Sequence, residues 1–123
     1  MKREIIIIFS EDANKQFQEL NKIVGEETSK GTTNSIHQQL LKSINHKIDL
    51  LKINPQAGTH VPQNFIPKTY KDKYDINNLW KIDLTGYWRM TYTLRTTEIE
   101  ITNFILDILD HPAYDKLFGY RRK

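Results

Sequence analysis

Positively charged side chains stand at two places in the last third of the chain where apolar and polar residues alternate. Lys81 lies in the first segment, and Arg89 lies between Trp88 and Met90 in the second. Such alternation predicts β-strands with one buried face and one solvent-facing face, so both cations are expected on the solvent-facing side. A guanidinium fixed on a rigid sheet is suited to gripping a phosphodiester and to stabilising the charge that develops during its cleavage. Lys81 would contact a second phosphate or accept a proton.

Further side chains near the end of the chain extend this candidate catalytic site. His111 directly precedes a proline, and imidazole is the side chain that gains and loses a proton near neutral pH. Tyr114 and Tyr120 are candidates for stacking on an unpaired base. The residues predicted to bind an RNA backbone are the cations Arg95, Arg121, Arg122 and Lys123.

Each of these residues also has a purely structural interpretation. Arg89 could pair with Asp83 or Glu98 across the sheet, and Lys81 could be an ordinary solvated lysine. His111 could cap the terminal helix, and the aromatic residues around it could pack that helix onto the sheet. The sequence leaves these alternatives open.

Signatures of metal-dependent and nucleotide-dependent enzymes are absent from the sequence. The chain has no cysteine, and its other histidines, His37, His46 and His60, are not spaced as zinc ligands. It has no glycine-rich phosphate loop and no Ser-His-Asp arrangement. We therefore expect chemistry that uses neither a metal nor a cofactor.

The elements that position these residues follow from the periodicity of the apolar side chains. Residues 5–9 predict a buried strand. Ser10 is a suitable N-cap for a helix that Gly25 would end. Residues 36–51 carry an apolar stripe typical of a second helix, which ends before Pro55.

The second half of the chain predicts strands. Residues 56–76 are expected to form an ordered loop with a helical turn at 68–74. Three strands are predicted at 79–84, 87–95 and 98–109. In the last strand the alternation slips near 102–103, which indicates either a β-bulge there or burial on both faces. A short helix should follow, ending at Gly119.

These elements predict an α+β domain with the order β-α-α-β-β-β and a short C-terminal helix. We expect a four-stranded, mainly antiparallel sheet, covered on one face by a helical hairpin and open on the other, where the site would lie. The 123 residues suffice for a single domain spanning 1–123, and the net charge of +3 is only mildly basic. Five apolar residues near the start are too few for a membrane span or a signal peptide, and the lack of cysteine fits the cytoplasm.

Three segments resemble the RelE/ParE superfamily of bacterial and archaeal toxins, and in particular its ribosome-dependent endoribonuclease branch. Residues 80–84 read Trp-Lys-Ile-Asp-Leu, similar to the family's aromatic-Lys-Ile-x-Leu strand. Residues 86–92 read Gly-Tyr-Trp-Arg-Met-Thr-Tyr, similar to its Gly-Tyr-Arg-hydrophobic-x-Tyr strand. The last strand ends in Asp110-His111, where the family has a short basic stretch with a tyrosine nearby.

The resemblance implies a RelE-like toxin of a type II toxin-antitoxin system that enters the ribosomal A site, cleaves mRNA without a metal and is held inactive by a cognate antitoxin. Arg89 takes the place of the arginine that stabilises the scissile phosphate, and Lys81 that of a lysine on the preceding strand. His111 falls at the basic position after the last strand. Two positions depart from the family pattern: Asp83 replaces a lysine found in some members, and Pro112 stands where an arginine often follows.

Two alternative functions remain at this stage. A ParE-like protein would inhibit DNA gyrase by binding, without any chemistry on RNA. A non-toxic relative with the RelE fold would retain only a binding surface, and the departures at Asp83 and Pro112 are the reason that this alternative is kept.

Overall fold

The computed structural model describes residues 2–119, and it begins with one strand followed by a helical hairpin. Strand β1 (Glu4–Phe9) leads into helix α1 (Glu11–Ser29), and a short turn leads to helix α2 (Ile36–Ile53). Ser10 caps α1 as predicted, because its Oγ accepts a hydrogen bond from the backbone N–H of the third residue that follows it. None of the helices in residues 2–119 is long and apolar enough to cross a membrane.

The first helix is longer than the sequence predicted. Gly25 does not end α1, since the helix continues for one more turn and is closed by Lys30, whose N–H bonds to the carbonyls of Glu26 and Glu27. A glycine inside an exposed helix lowers its stability without breaking it. The second helix ends at Ile53, as its apolar stripe and the following proline predicted.

The second half of the chain adds four strands and two short helices. In chain order they are β2 (Thr59–His60), α3 (Lys68–Tyr74), β3 (Trp80–Asp83), β4 (Arg89–Thr96), β5 (Glu100–Leu109) and α4 (His111–Phe118). The helical turn predicted within the loop is α3, with the expected bounds.

The sheet has the strand order β1-β5-β4-β3-β2, with β1 parallel to β5 and the other neighbours antiparallel. The predicted α+β class and hairpin arrangement are confirmed, but the sheet has five strands instead of four. The additional strand is β2, whose two residues lie opposite Lys81 and Trp80. Two residues are too short to show alternation, so the sequence pattern could not reveal this strand.

One face of the sheet packs against the helical hairpin and forms the larger core. Its buried residues include Leu20 of α1, Ile44 of α2 and Met90, Tyr92 and Ile105 of the sheet. This core fixes the phase of β4, because the even-numbered residues point into it and Arg89 must point the other way.

The expectation that the other face is open is wrong for much of its area. A second core of Tyr70, Leu79 and Leu106 lies there, beneath α3 and the loop that precedes β3. The predicted irregularity of β5 is found as burial on both faces, since Ile105 and Leu106 point to opposite cores and neither is exposed. The register shift lies at Leu106, opposite the step from Thr91 to Tyr92, and not at 102–103.

Candidate functional site

The end of the sheet where β4 begins and β5 ends brings four of the predicted site residues together. Asp83 of β3 and Leu109 of β5 lie opposite Arg89 on its two neighbouring strands. Helix α4 leaves β5 two residues later and folds back, which places His111 and Tyr114 against the arginine. Residues from three strands and one helix therefore form one cluster.

The guanidinium of Arg89 is held from several sides. Its Cζ lies 4.6 Å from the centre of the Tyr114 ring, a distance typical of a cation-π contact. Its Nη1 lies 3.2 Å from both the carbonyl oxygen of Tyr87 and Nδ1 of His111. Its Nε lies 3.3 Å from Oδ1 of Asp83, within ion-pair range but without the geometry of a hydrogen bond. The side chain is 18% exposed, so solvent reaches it from one side.

The contacts of His111 specify where its proton lies. An arginine nitrogen always donates, so Nδ1 must accept the hydrogen bond from Arg89 and the ring proton is on Nε2. Nε2 lies 3.4 Å from Oδ2 of Asp115, one helical turn further along α4. The proposed capping role of His111 is wrong, because Asp110 caps α4 through a 2.9 Å bond from the N–H of Ala113.

Lys81 and Tyr114 complete the cluster. The Lys81 Nζ lies 5.7 Å from the centre of the same tyrosine ring and 4.0 Å from Oδ1 of Asp83. Lys81 is half-buried, so it is not an ordinary solvated lysine. The Tyr114 ring is 4% exposed and lies beneath both cations, so in this arrangement it supports them and its faces are covered.

Among residues 2–119, the site is less basic than the sequence suggested. Asp83 contacts both cations, as one of the structural interpretations of Arg89 proposed, and Asp115 faces His111. Two carboxylates thus offset the charges of Lys81 and Arg89. Because Asp83 is 73% exposed, a phosphate approaching from solvent meets its charge at the surface of the site.

A hydrogen-bonded group of three side chains lies one row further along the sheet. The Tyr70 hydroxyl is 2.7 Å from both Oγ1 of Thr91 and Oδ2 of Asp107. Burial raises the pKa of Tyr70, and burial likewise raises the pKa of Asp107, although the bond from Tyr70 counteracts it. Thr91 lies directly opposite Lys81 on the neighbouring strand, so this group of side chains adjoins the site.

Tyr87 is a member of the site that the sequence analysis missed. Its side chain is 76% exposed and its ring centre lies 6.0 Å from that of His111. Its φ of 64° is unfavourable for a bulky residue, and it follows Gly86 in the same left-handed region. Nothing in the sequence showed that the turn formed by Gly86 and Tyr87 borders the site. Tyr70 and Asp115 were missed for the same reason.

The remaining predicted residues are not part of this cluster. Arg95 lies six residues along β4, roughly 20 Å away at about 3.3 Å per residue, and its Nη2 is near the carbonyl oxygen of Tyr74. Four predicted site residues lie outside the described part of the chain: Tyr120, Arg121, Arg122 and Lys123. Within residues 2–119, no group of three or more His, Asp or Glu side chains is arranged to hold a metal ion.

Comparison with known proteins finds a similarity of fold. No family model matches the sequence, and no curated protein matches it. Among solved structures, the chain is similar to a YoeB/ParE toxin from Agrobacterium tumefaciens, with a TM-score of 0.55 and 14% sequence identity. The match covers 86% of this chain and 98% of the other. The predicted RelE-like fold is therefore confirmed, and the similarity is one of fold.

Proposed function

We propose that this chain is the toxin of a type II toxin-antitoxin system and that it cleaves mRNA on the ribosome. A cognate antitoxin would hold it inactive in the cytoplasm. The fold supports a toxin in general. The observation that carries the endoribonuclease proposal is that Arg89 and Lys81 lie over one buried tyrosine ring at the end of the sheet, with His111 bonded to Arg89.

Arg89 would hold the scissile phosphate. Its guanidinium is stacked on Tyr114 and bonded to the Tyr87 carbonyl oxygen, so little reorganisation is needed when negative charge develops on the phosphate oxygens. The 2′-hydroxyl would attack the phosphorus, and the bond to the 5′-oxygen would break. Lys81, on the neighbouring strand, would contact the same or the adjacent phosphate.

His111 would transfer protons. In the complex, Nη1 of Arg89 would donate to the phosphate in place of Nδ1 of His111, while the guanidinium stays on the Tyr114 ring. Nδ1 would then accept the proton of the attacking 2′-hydroxyl, while Asp115 keeps the ring oriented through Nε2. The resulting imidazolium could protonate the departing 5′-oxygen, which balances the reaction. The exposed ring of Tyr87 beside His111 offers a face on which a flanking base can stack.

The test measures cleavage of mRNA on purified ribosomes by the parent chain and by Arg89→Ala, Arg89→Lys and His111→Ala variants. Loss of a preorganised charge typically lowers the rate about 10²- to 10³-fold, and loss of a general base about 10²- to 10⁴-fold. Arg89→Lys should also be impaired, because a lysine cannot grip a phosphate in two places. Lys15→Ala is the matched control, since it removes an exposed cation of α1 outside the cluster. Full activity of Arg89→Ala would remove Arg89 from the mechanism.

A second candidate function is supported by the two carboxylates of the site. Asp83 and Asp115 reduce the attraction for RNA, which suits a protein that inhibits DNA gyrase by binding, or a non-toxic binding protein. A parent chain that leaves mRNA intact but blocks DNA supercoiling by purified gyrase would establish the first of these. Inactivity in both assays, together with no growth arrest on overexpression, would establish the second.

A further inference from the structure

The first strand is an unprotected edge of the sheet. β1 consists of Glu4, four isoleucines and Phe9, yet none of its residues is fully buried, and Ile8 is 46% exposed. No strand among residues 2–119 lies beyond β1. The opposite edge is different, because β2 has only two residues and is soon followed by Pro62. Long, apolar edge strands without proline or inward-facing charge readily pair with another strand.

The backbone of β1 shows which hydrogen-bonding groups face outward. The N–H of Glu4 bonds to the Ile99 carbonyl, and the N–H of Ser10 bonds to the Ile105 carbonyl, so even-numbered residues of the strand point towards β5. The N–H and C=O groups of Ile5, Ile7 and Phe9 therefore point away from the sheet. Only an added strand that meets these odd-numbered residues can form regular hydrogen bonds with this edge.

We propose that β1 pairs antiparallel with β1 of a second copy of this chain, with the two-fold axis passing at Ile7. In this register Ile7 lies opposite its own counterpart, and Ile5 lies opposite Phe9. These three hydrogen-bonded pairs exchange about six backbone bonds in total and join the two sheets into one. The two-fold axis closes the assembly at two copies, so it does not lead to fibres.

Charge at the two ends of the strand selects the second copy and this register. Lys2 and Arg3 precede β1, and Glu11 and Asp12 follow it. An axis at Ile7 brings the basic end of each copy to the acidic end of the other, with residue 3 aligned on residue 11. An axis at Ile5 would also satisfy the backbone pattern, but it would align residue 3 with residue 7. Glu11 and Asp12 would then have only their partners within the same chain, Lys15 and Lys73, and no cation of the other copy near them. The strand is thus complementary to itself in charge as well as in hydrogen bonding.

The side chains that this pairing covers are apolar. Ile8 of one copy lies opposite Ile6 of the other, on the face of β1 that does not meet the helical hairpin. The partly exposed Phe9, whose ring packs 5.1 Å from that of Phe17, lies at the end of the paired region. Pairing would therefore remove apolar surface from water at the edge of each sheet.

The mass of the chain in solution tests the pairing. Sedimentation or light scattering should give a mass twice the 14.6 kDa of one chain. The Ile8→Lys variant should have the mass of a single chain, because a charge on the edge strand blocks the pairing. Ile53→Lys is the matched control, since it places the same charge on an exposed isoleucine of α2. A parent chain that remains monomeric at high concentration would overturn the proposal, as would a dimer that persists in the Ile8→Lys variant.

Disulfide trapping tests the register. The chain has no cysteine, so any disulfide must form between introduced cysteines. An Ile6→Cys, Ile8→Cys double variant should form a covalent dimer on oxidation, because directly opposite residues of a non-hydrogen-bonded pair lie about 4.5 Å apart at Cα. A Glu4→Cys, Ile6→Cys variant would cross-link instead if the axis were at Ile5. Cross-linking of that second variant alone, or of neither, would refute the assignment. The test does not depend on whether the chain cleaves RNA.

Discussion

Replacing Asp83 with asparagine removes the negative charge nearest to the two cations of the site. The carboxylate lies 3.3 Å from the Arg89 Nε and 4.0 Å from the Lys81 Nζ. Because Asp83 is largely exposed, these ion pairs stabilise the fold by only about 0.2–1 kcal/mol each. We therefore expect Asp83→Asn to fold normally, with a small decrease in the free energy of unfolding.

The same substitution should strengthen RNA binding. A phosphate held by the Arg89 guanidinium would lie about 6 Å from the Asp83 carboxylate, where two unit charges repel by about 0.7 kcal/mol in bulk water and by about 3 kcal/mol at an effective permittivity of about 20. Removing that repulsion corresponds to a gain in affinity between about threefold and about 100-fold. The gain should shrink as salt is added, since the charges are close to solvent.

The assay is fluorescence anisotropy of a labelled short RNA at low and at physiological salt, with unfolding measured on the same samples. Asp72→Asn is the matched control, because Asp72 is an equally exposed carboxylate paired with a lysine on α3, outside the site. Affinity for RNA that is unchanged or weaker in Asp83→Asn, with the fold intact, would refute the idea that Arg89 faces a phosphate.

Three further predictions concern the structure that supports the site. Gly58→Ala should destabilise the fold by about 1–3 kcal/mol in urea unfolding, because the added Cβ would lie 2.4 Å from the Lys81 carbonyl oxygen and would disturb the bond from the Gly58 N–H to Tyr92; an unchanged midpoint would contradict this. Tyr70→Phe should lower the free energy of unfolding by about 1–3 kcal/mol at neutral pH, because the ionised carboxylate of Asp107 loses its hydrogen bond and its pKa rises further. The loss should be smaller in acid, where Asp107 is protonated, and equal losses at both pH values would contradict this. Burial raises the pKa of Tyr92 from 10.0 to about 12, so the stability that this group contributes is present below pH 10 and is lost as the pH rises through about 12. Alkaline unfolding, followed by circular dichroism, should therefore begin at a higher pH in the Tyr92→Phe variant.

Much of the fold could be predicted from local sequence patterns. The apolar stripes gave both helices of the hairpin, and Ser10 gave the start of the first one. Alternation gave β3, β4 and β5, and with them the outward phase of Lys81 and Arg89. These features depend on neighbouring residues in the chain, whose spacing alone decides which side of an element they occupy. The errors fell at Gly25, where helical continuity outweighed the glycine, and at the two-residue strand β2.

The candidate site was predicted in part. Arg89, Lys81 and His111 lie together, and Tyr114, one of the two candidate tyrosines, lies beneath the two cations. The roles of these residues in catalysis remain predictions. The sequence did not show that the Tyr114 ring is buried beneath both cations, or that Tyr87 stands exposed beside His111. It also did not show that much of the sheet face carrying the site is covered by a second core.

The sequence by itself determined the two helices of the hairpin, the strands β1, β3, β4 and β5, and the direction in which the side chains of these elements point, because these follow from the short-range periods of the backbone. Tertiary structure alone decided which of the possible partners Arg89 contacts. Asp83 meets it because the register of β3 and β4 places the two residues opposite each other, and His111 meets it because α4 folds back over the sheet. Such contacts join residues far apart in the chain, so they depend on how whole elements pack and not on any local pattern.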